Sequence, residues 1–220
     1  MPESRAYDVL MRLPMLAWSS FLGLVTLVGL QQYIGQADPA LPSAVYALNI
    51  AMRLSVIMYL FVIAAAVIVR LRPTGKAPGI EPRVSALIGT FLFTAVVLFP
   101  RRELSPAAAA VSTLVTLAGN ALAIVVLTQL RGSFSIMAEA RQLVTSGVYR
   151  LVRHPLYLAE EIALIGVVMQ YFSLWTALLL AAEIAFQLRR MHNEEAVLGE
   201  NFPEYAAYKR NTARLIPGIY

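Results

Sequence analysis

Between Leu13 and Ile34 the chain runs for 22 residues without one charged side chain, and such a segment has few places to go. About 20 apolar residues in a helix cross a hydrocarbon core of about 30 Å. Inside that core every backbone N–H and C=O has to be bonded within the segment, which favours a helix. The run is therefore expected to span a membrane. It exceeds the apolar stretch of about 7 to 15 residues in a removable signal peptide, so the faintly cleavage-like Gly35-Gln36-Ala37 is read as the start of a polar loop.

Further apolar runs follow. Ala44 to Val69 is interrupted by Arg53, and Val84 to Phe99 is shorter. Ser105 and Pro106 open a run to Leu130 in the way that a capping residue and a first-turn proline begin a helix. From Pro155 to Gly199 a single helix would be about 67 Å long, twice what a bilayer needs. That segment is expected to fold back on itself, with the turn at Gln170 to Trp175. The whole chain is 59% hydrophobic and 14% charged, with a mean hydropathy of +0.66, whereas soluble domains run at roughly half apolar and a quarter charged. Its 220 residues contain no long polar or low-complexity tract. It reads as a single integral membrane domain, 1–220: an all-α, polytopic transmembrane helical bundle of about six spans. Residues 1–130 would form a four-helix scaffold and 131–220 a cytosolic C-terminal catalytic region.

The basic residues set a direction. With six spans and both termini cytosolic, 15 of the 18 Lys and Arg residues fall on the cytosolic side. They are Arg5 and Arg12, the 70–83 loop, the 131–153 loop and the tail from Arg189. Arg101 and Arg102 fall opposite, and Arg53 lies within the membrane. The net charge of +5 thus brackets apolar runs instead of forming one basic stripe, so no nucleic-acid partner is expected.

Several chemistries are excluded. The absence of cysteine removes disulfides, thiolate metal sites and a thiol nucleophile together. His154 and His192 are the two histidines, no His-Glu-x-x-His pattern occurs, and no metal centre is expected. No two glycines are separated by one residue, so neither a dinucleotide-binding loop nor a P-loop can be written.

The unusual polar residues gather in the last ninety positions. One stretch runs Arg141-Gln142-Leu143-Val144-Thr145-Ser146-Gly147-Val148-Tyr149, with Gly147 supplying a turn, and leads into Arg153-His154-Pro155-Leu156-Tyr157. Proline at a helix start leaves exposed N–H groups behind it, an anion site strengthened by the helix dipole. A second cluster is Arg190, His192, Asn193, Glu194 and Glu195. Arg190 and Glu194 are four apart and share a helix face, while Glu195 points roughly 100° away. Taken singly, His154 reads as a helix-start residue, and Arg190 with Glu194 as a solvated ion pair at a helix end.

Together the motifs are more specific. Residues 131 to 220 resemble the isoprenylcysteine carboxyl methyltransferase family and its phospholipid methyltransferase relatives. The resemblance rests on Leu143 to Tyr149, on Arg153-His154-Pro155-Leu156-Tyr157, and on Arg190 with Glu194-Glu195. It continues through Phe202, Tyr205, Tyr208 and the closing Arg214-Leu215-Ile216-Pro217. It implies an integral membrane enzyme that takes S-adenosylmethionine from the cytosol, without a metal, and methylates a lipidic or prenylated acceptor reached from the bilayer.

Carried over by position, the resemblance sets the methyl donor against Arg141, Gln142, Leu143, Val144, Tyr149, His154, Pro155, Leu156, Tyr157 and Glu194. Arg190 stands beside the acceptor, and Arg190 and Glu194 are the catalytic pair it implies. Two positions depart from the family pattern. The small residue after the His-Pro-x-Tyr motif is Ala159, which would narrow the pocket slightly, and the usual glycine after Phe202 is Pro203.

Transfer from a sulfonium is an in-line displacement, so catalysis is largely positioning in a site shielded from water. A carboxylate acceptor is already nucleophilic and needs orientation by a cation, the role open to Arg190, whereas an ammonium must first lose a proton. Phospholipid amines and small thiols stay open as alternative acceptors. Tyr205 and Tyr208 are expected to be interfacial packing. Arg53, Glu160, Glu161 and Glu183 lie in or near hydrocarbon, where ionised groups are costly. Either Arg53 pairs with one of these glutamates, or Glu160 or Glu161 lines a lateral entrance. A small transporter would use Arg53 and Glu183 as pathway groups, but the chain shows no repeated half.

Overall fold

The computed structural model describes residues 9–36 and 42–218; Arg5 and Ala37, used above, lie outside them. Among the described residues the chain is mostly helical: α1 (Leu13–Gly35), α2 (Ser43–Val69), α3 (Glu81–Phe91), α4 (Pro106–Leu130), α5 (Pro155–Tyr171), α6 (Leu174–Asn201) and α7 (Tyr205–Asn211). A small antiparallel pair, β1 (Gly75–Lys76) and β2 (Glu139–Ala140), sets Gly75 opposite Ala140.

Among the described residues, four helical segments are long and apolar enough to cross a membrane: Leu13–Gly35, Ser43–Val69, Glu81–Leu98 and Pro106–Ser133. The third begins three residues before the expected Val84, and it changes form. After Phe91 it continues as a 3-10 helix, Leu92–Leu98. At about 2.0 Å per residue there, against about 1.5 Å in the α-helical part, it reaches about 30 Å, so the tighter winding lets a short run cross. Outward-facing Phe21, Leu24, Phe61 and Val97 are exposed, as expected of helices that face lipid. At α4 the expected cap forms: Ser105 Oγ accepts from Ala108 N at 3.3 Å, with Pro106 in the first turn.

The last apolar region folds back as expected. α5 ends at Tyr171, and α6 starts at Leu174, after two intervening residues, behind a capping box of Ser173 and Thr176. The two helices run antiparallel, so Glu160 of α5 meets Gln187 of α6 at 3.4 Å and Tyr157 meets Glu194.

α4 and α5 pack with almost no space between their backbones. A Cβ on Gly166 would fall 2.3 Å from Thr116 Oγ1 and 2.7 Å from Ser112 O, and one on Gly119 would fall 2.4 Å from Ala163 N. Small residues permit this approach where lipid supplies no hydrophobic drive between helices. Ser112 Oγ donates to Gly166 O at 2.8 Å across the same seam. Ala159 is fully buried, and its carbonyl would sit 2.8 Å from a Cβ on Gly119. It faces α4, so it does not narrow the pocket as expected.

Two hydrogen-bond sets mark the ends of the bundle. At one end Arg12 donates to Ile68 O, Leu71 N donates to Gly132 O at 2.8 Å, and Arg189 pairs with Glu81 at 2.7 Å. At the other, Arg102 N donates to Gln170 O at 2.8 Å and Arg101 Nε to Tyr171 Oη at 2.7 Å. The segments rich in Lys and Arg thus collect at one end, and Arg101 and Arg102 at the other.

The expected Arg53–glutamate pairing does not form among the described residues. Arg53 lies over the Tyr33 ring, 5.0 Å from its centroid, with Nη1 close to Gly29. Its register on α2 turns it towards α1, away from the α5–α6 hairpin that carries the acids.

Candidate active site

A cavity of about 530 Å³ opens at the basic end and continues between the helices to Arg101 and Tyr171 at the other end, a depth set by the roughly 25 Å of α5. Arg141, Gln142, Leu143, Val144, Tyr149, His154, Leu156, Tyr157, Arg190 and Glu194 all line it. Pro155 is buried in the first turn of α5 and is not part of the lining. The inner walls come from the first four spanning segments, with Trp18, Tyr59, Phe93 and Asn120 among them, and from Leu164 and Val167 of α5.

The loop before α5 is held from below. Gly147 adopts φ +62°, and a Cβ there would strike Gln129 Oε1 at 2.1 Å. Only glycine combines that backbone with that clearance. Gln129 Oε1 meanwhile accepts from Val148 N at 2.9 Å, which ties the turn to the end of α4. His154 follows as the residue preceding α5 and is buried.

His154 stands between two carboxylates. Its Nε2 lies 3.1 Å from Glu195 Oε1, and its Nδ1 lies 3.9 Å from Glu194 Oε2. Glu194 also accepts from the Tyr157 hydroxyl. Its side chain keeps 22% of its surface accessible, so it is anchored at one oxygen and open to the cavity.

Arg190 is buried under three kinds of contact. Nη1 donates to Gln187 Oε1 at 3.0 Å and Nη2 to Ile136 O at 3.2 Å, while the guanidinium lies 5.0 Å from the Tyr157 ring centroid. Its Nε is buried without a hydrogen-bond partner. Gly89 of α3 makes room for the stem: a Cβ there would lie 2.8 Å from Arg190 Cδ. Arg190 is therefore an interior cation fixed from three sides, and no ion pair joins it to Glu194. The reading of these two as a solvated surface pair is set aside.

The sequence placed Glu195 in the second cluster but gave it no role at the site. Pointing away from the Arg190–Glu194 face, it gathers Arg153 Nε at 3.1 Å, Arg214 Nε at 3.0 Å and Lys209 Nζ at 3.1 Å, besides His154. Burial acts upward on this carboxyl, but the hydrogen bonds from His154 and Lys209 and the charge of Arg214 hold it well below the usual carboxylate range. The same knot fixes the tail. Arg153 N donates to Ala213 O at 2.8 Å and His154 N to Arg214 O at 3.1 Å. The signal available in the sequence was the closing Arg214-Leu215-Ile216-Pro217, whose arginine needed a buried partner.

The anchored tail places two tyrosines at the cavity. Tyr205 and Tyr208, expected as interfacial packing, both line it. Tyr208 Oη donates to Tyr149 O at 2.6 Å, and the buried Tyr205 hydroxyl has no partner. Burial pushes the Tyr208 hydroxyl up to about 12 and raises those of Tyr205 and Tyr149 as well, so all three stay neutral donors at physiological pH.

Residues 111–200 match the model of the isoprenylcysteine carboxyl methyltransferase (ICMT) family, and the resemblance read from the motifs is borne out. Among curated proteins, the chain is 32% identical over 82 residues to the nickel-cobalt-cadmium resistance protein NccN of Alcaligenes xylosoxydans xylosoxydans, covering 37% of this chain and 38% of that protein. It is 37% identical over 78 residues to the cobalt-zinc-cadmium resistance protein CzcN of Cupriavidus metallidurans, covering 35% and 36%. The matches thus span little more than a third of those relatives. Among the described residues no group of three or more His, Cys, Asp or Glu could hold a metal ion.

Proposed function

We propose that this protein is an S-adenosylmethionine-dependent methyltransferase of the membrane, acting on an amphiphilic acceptor whose carboxylate it esterifies. The observation that carries the reading is the continuity of one cavity. Its polar mouth is built by the segment that matches the methyltransferase family, and its interior is an apolar passage between membrane helices. Small-molecule sites of this kind are mostly apolar with a few convergent polar groups.

The residues at the mouth suit the donor. Glu194 offers an accessible carboxylate oxygen for an ammonium, Tyr205 a buried hydroxyl that lacks a partner, and Tyr149 and Leu156 apolar surface. When bound, the donor supplies a methyl group on a cationic sulfur. The protein's work is to hold and exclude. Arg190, with its unpaired Nε at the base of the mouth, orients the acceptor carboxylate, and charge-assisted bonds to a guanidinium hold such a group firmly. The carboxylate is already ionised, so no base has to remove a proton. Glu195 and His154 keep Glu194 and the loop before α5 in register. Leu156, Ile136 and Tyr157 keep water from the reacting atoms.

We place residues 1–130 as the scaffold around the passage and 131–220 as the catalytic region. The chain makes six spans, α5 and the first half of α6 being the last two, with both termini and the mouth cytosolic. The collection of basic residues at one end supports this orientation. Incubating membranes that contain the protein with isotopically labelled S-adenosylmethionine, then identifying by mass whichever lipid gains a methyl ester, tests the reading. A base-labile label on an amphiphilic acid is expected, and label only on amines or thiols contradicts it.

A further inference from the structure

The wall of the cavity is open at the end away from the mouth. There its lining comes from Leu22 and Thr26 of α1 and from Thr94 and Val97 of the 3-10 segment. The two segments run side by side in the same direction from one contact, where Trp18 meets the Phe91 ring edge-on at 5.5 Å. Leu22 and Thr94 both stand about 6 Å beyond that contact, and Thr26 and Val97 both stand about 12 Å beyond it. Residues three apart eclipse in a 3-10 helix, so Thr94 and Val97 form one straight row, next to the buried Phe93 and Val96 that pack on Val168 and Tyr171. Among the described residues no hydrogen bond joins α1 to residues 92–98. Val97 lines the cavity and is nevertheless 66% exposed. The cavity thus reaches the lipid-facing surface through a slot between α1 and the 3-10 segment.

The walls of the slot are apolar and its outer end is charged. Thr26 Oγ1 donates back to Leu22 O at 2.8 Å, so this face of α1 asks for no polar partner. Beyond Val97 stands Arg101, which lines the cavity and is exposed. Its Nε donates to Tyr171 Oη at 2.7 Å, and the guanidinium lies 5.4 Å from that ring's centroid. Among the described residues no carboxylate pairs with Arg101, Glu103 included, and its two terminal nitrogens have no acceptor. Arg53 is a second cation at this end. It rests on Gly29 and Tyr33, which stand three and seven residues after Thr26 and continue the same face of α1 outward. Its buried Nε has no partner. Cations within the bilayer that lack an acid mark functional sites, and an anion at the outer end of an apolar slot complements both.

We infer that this slot binds an anionic phospholipid from the leaflet away from the mouth, with its phosphate on Arg101 and one acyl chain lying between Leu22–Thr26 and Thr94–Val97. Arg53 adds to the positive field that holds the headgroup. The polarity of the slot matches that of a lipid in this leaflet, charge at the surface and hydrocarbon running inward. The bound chain completes the wall of the passage on its open side. A hydrocarbon tail alone, such as the far end of an acceptor, would fill the slot and leave both guanidiniums unmet, so the charges select a headgroup. No residue of the mouth takes part, and the site stands whatever reaction the mouth performs.

The test is photocrosslinking of the purified full-length protein in phosphatidylcholine nanodiscs that carry a small fraction of phosphatidylglycerol with a mid-chain diazirine, the labelled residues being identified by mass. Label is expected on Leu22, Thr26, Thr94 or Val97. Unlabelled phosphatidylglycerol displaces it, whereas phosphatidylcholine of the same chains and glycerol 3-phosphate do not. Arg101→Gln lowers labelling of these residues about tenfold, the loss of one charge-assisted contact, and leaves labelling of the rest of the lipid-facing surface unchanged. Arg53→Gln lowers it by a smaller factor. A diazirine probe with a choline headgroup separates the anionic lipid from any hydrocarbon chain. Label confined to other surfaces, equal labelling of the slot by the choline probe, displacement by glycerol 3-phosphate, or labelling unchanged in folded Arg101→Gln overturns the inference. Should Arg101→Gln not fold, the comparison of headgroups on the unaltered protein still decides.

Discussion

His154 and Glu194 stand 40 positions apart in the chain, yet His154 Nδ1 lies 3.9 Å from Glu194 Oε2 at the mouth of the cavity. The fold-back at Phe172 and Ser173 produces that meeting, because it returns α6 antiparallel along α5 to the level at which α5 began. The two motifs thus form one surface.

Arg190→Lys tests the cation. The guanidinium donates in two directions and lies on an aromatic face, a geometry that a lysine ammonium does not reproduce. We expect kcat to fall about thirtyfold, equivalent to about 2 kcal/mol, while S-adenosylmethionine affinity stays within twofold. Steady-state kinetics alongside direct donor binding separate the two effects.

Glu195→Gln tests the knot below the site. Removing one partner of a buried ion cluster costs about 3 kcal/mol, the lower end of the usual range because Lys209 is half-exposed. The sign with pH follows from the direction of the shift. The folded carboxyl is held below its ordinary value of about 4.3, so its stabilisation is complete above that value and is lost as pH falls towards the depressed folded value. Thermal melting in detergent between about pH 7 and pH 3.5 should show the unaltered protein losing more stability than Glu195→Gln over the acid part of that range.

Gly166→Ala tests the seam between α4 and α5. A Cβ there meets Thr116 Oγ1 at 2.3 Å and backbone at 2.7 Å, and overpacking of this kind costs about 1 to 3 kcal/mol. A lower melting temperature is expected, together with weaker donor binding, since α5 carries His154 and Tyr157 into the mouth.

Orientation is open to a direct check because the chain has no cysteine. In intact cells, Arg102→Cys is expected to react with an impermeant maleimide, and Arg210→Cys is expected to react only after permeabilisation. The opposite pattern reverses the proposed topology.

Much of this architecture was legible in the residues. Apolar length set α1, α2 and α4, in α2 despite the single charge of Arg53, and excessive apolar length forced the hairpin, since both follow from the bilayer's thickness. The 3-10 segment after Phe91 was not legible, because period-3 and period-3.6 winding place the same apolar side chains against lipid. The site divides in the same way. Arg190 and Glu194 share a face by spacing alone, whereas Glu195 takes its partners from Arg153 and from a tail that packs back over the loop. That contact is tertiary and leaves no periodic trace. Tyr205 and Tyr208 went unseen as lining residues for the same reason. The partner of Arg53 depended on which neighbour its face of α2 meets, and apolar sequence with no amphipathic stripe does not specify that.

The mechanism stands or falls with a methyl donor bound through Glu194 at the mouth of the cavity. Equilibrium binding of S-adenosylmethionine to the purified protein in nanodiscs decides this. Saturable binding at one site, weakened at least tenfold by Glu194→Ala with the melting temperature unchanged, is the predicted result. No saturable binding, or the same affinity in the folded variant, rules out Glu194 as the donor's anchor.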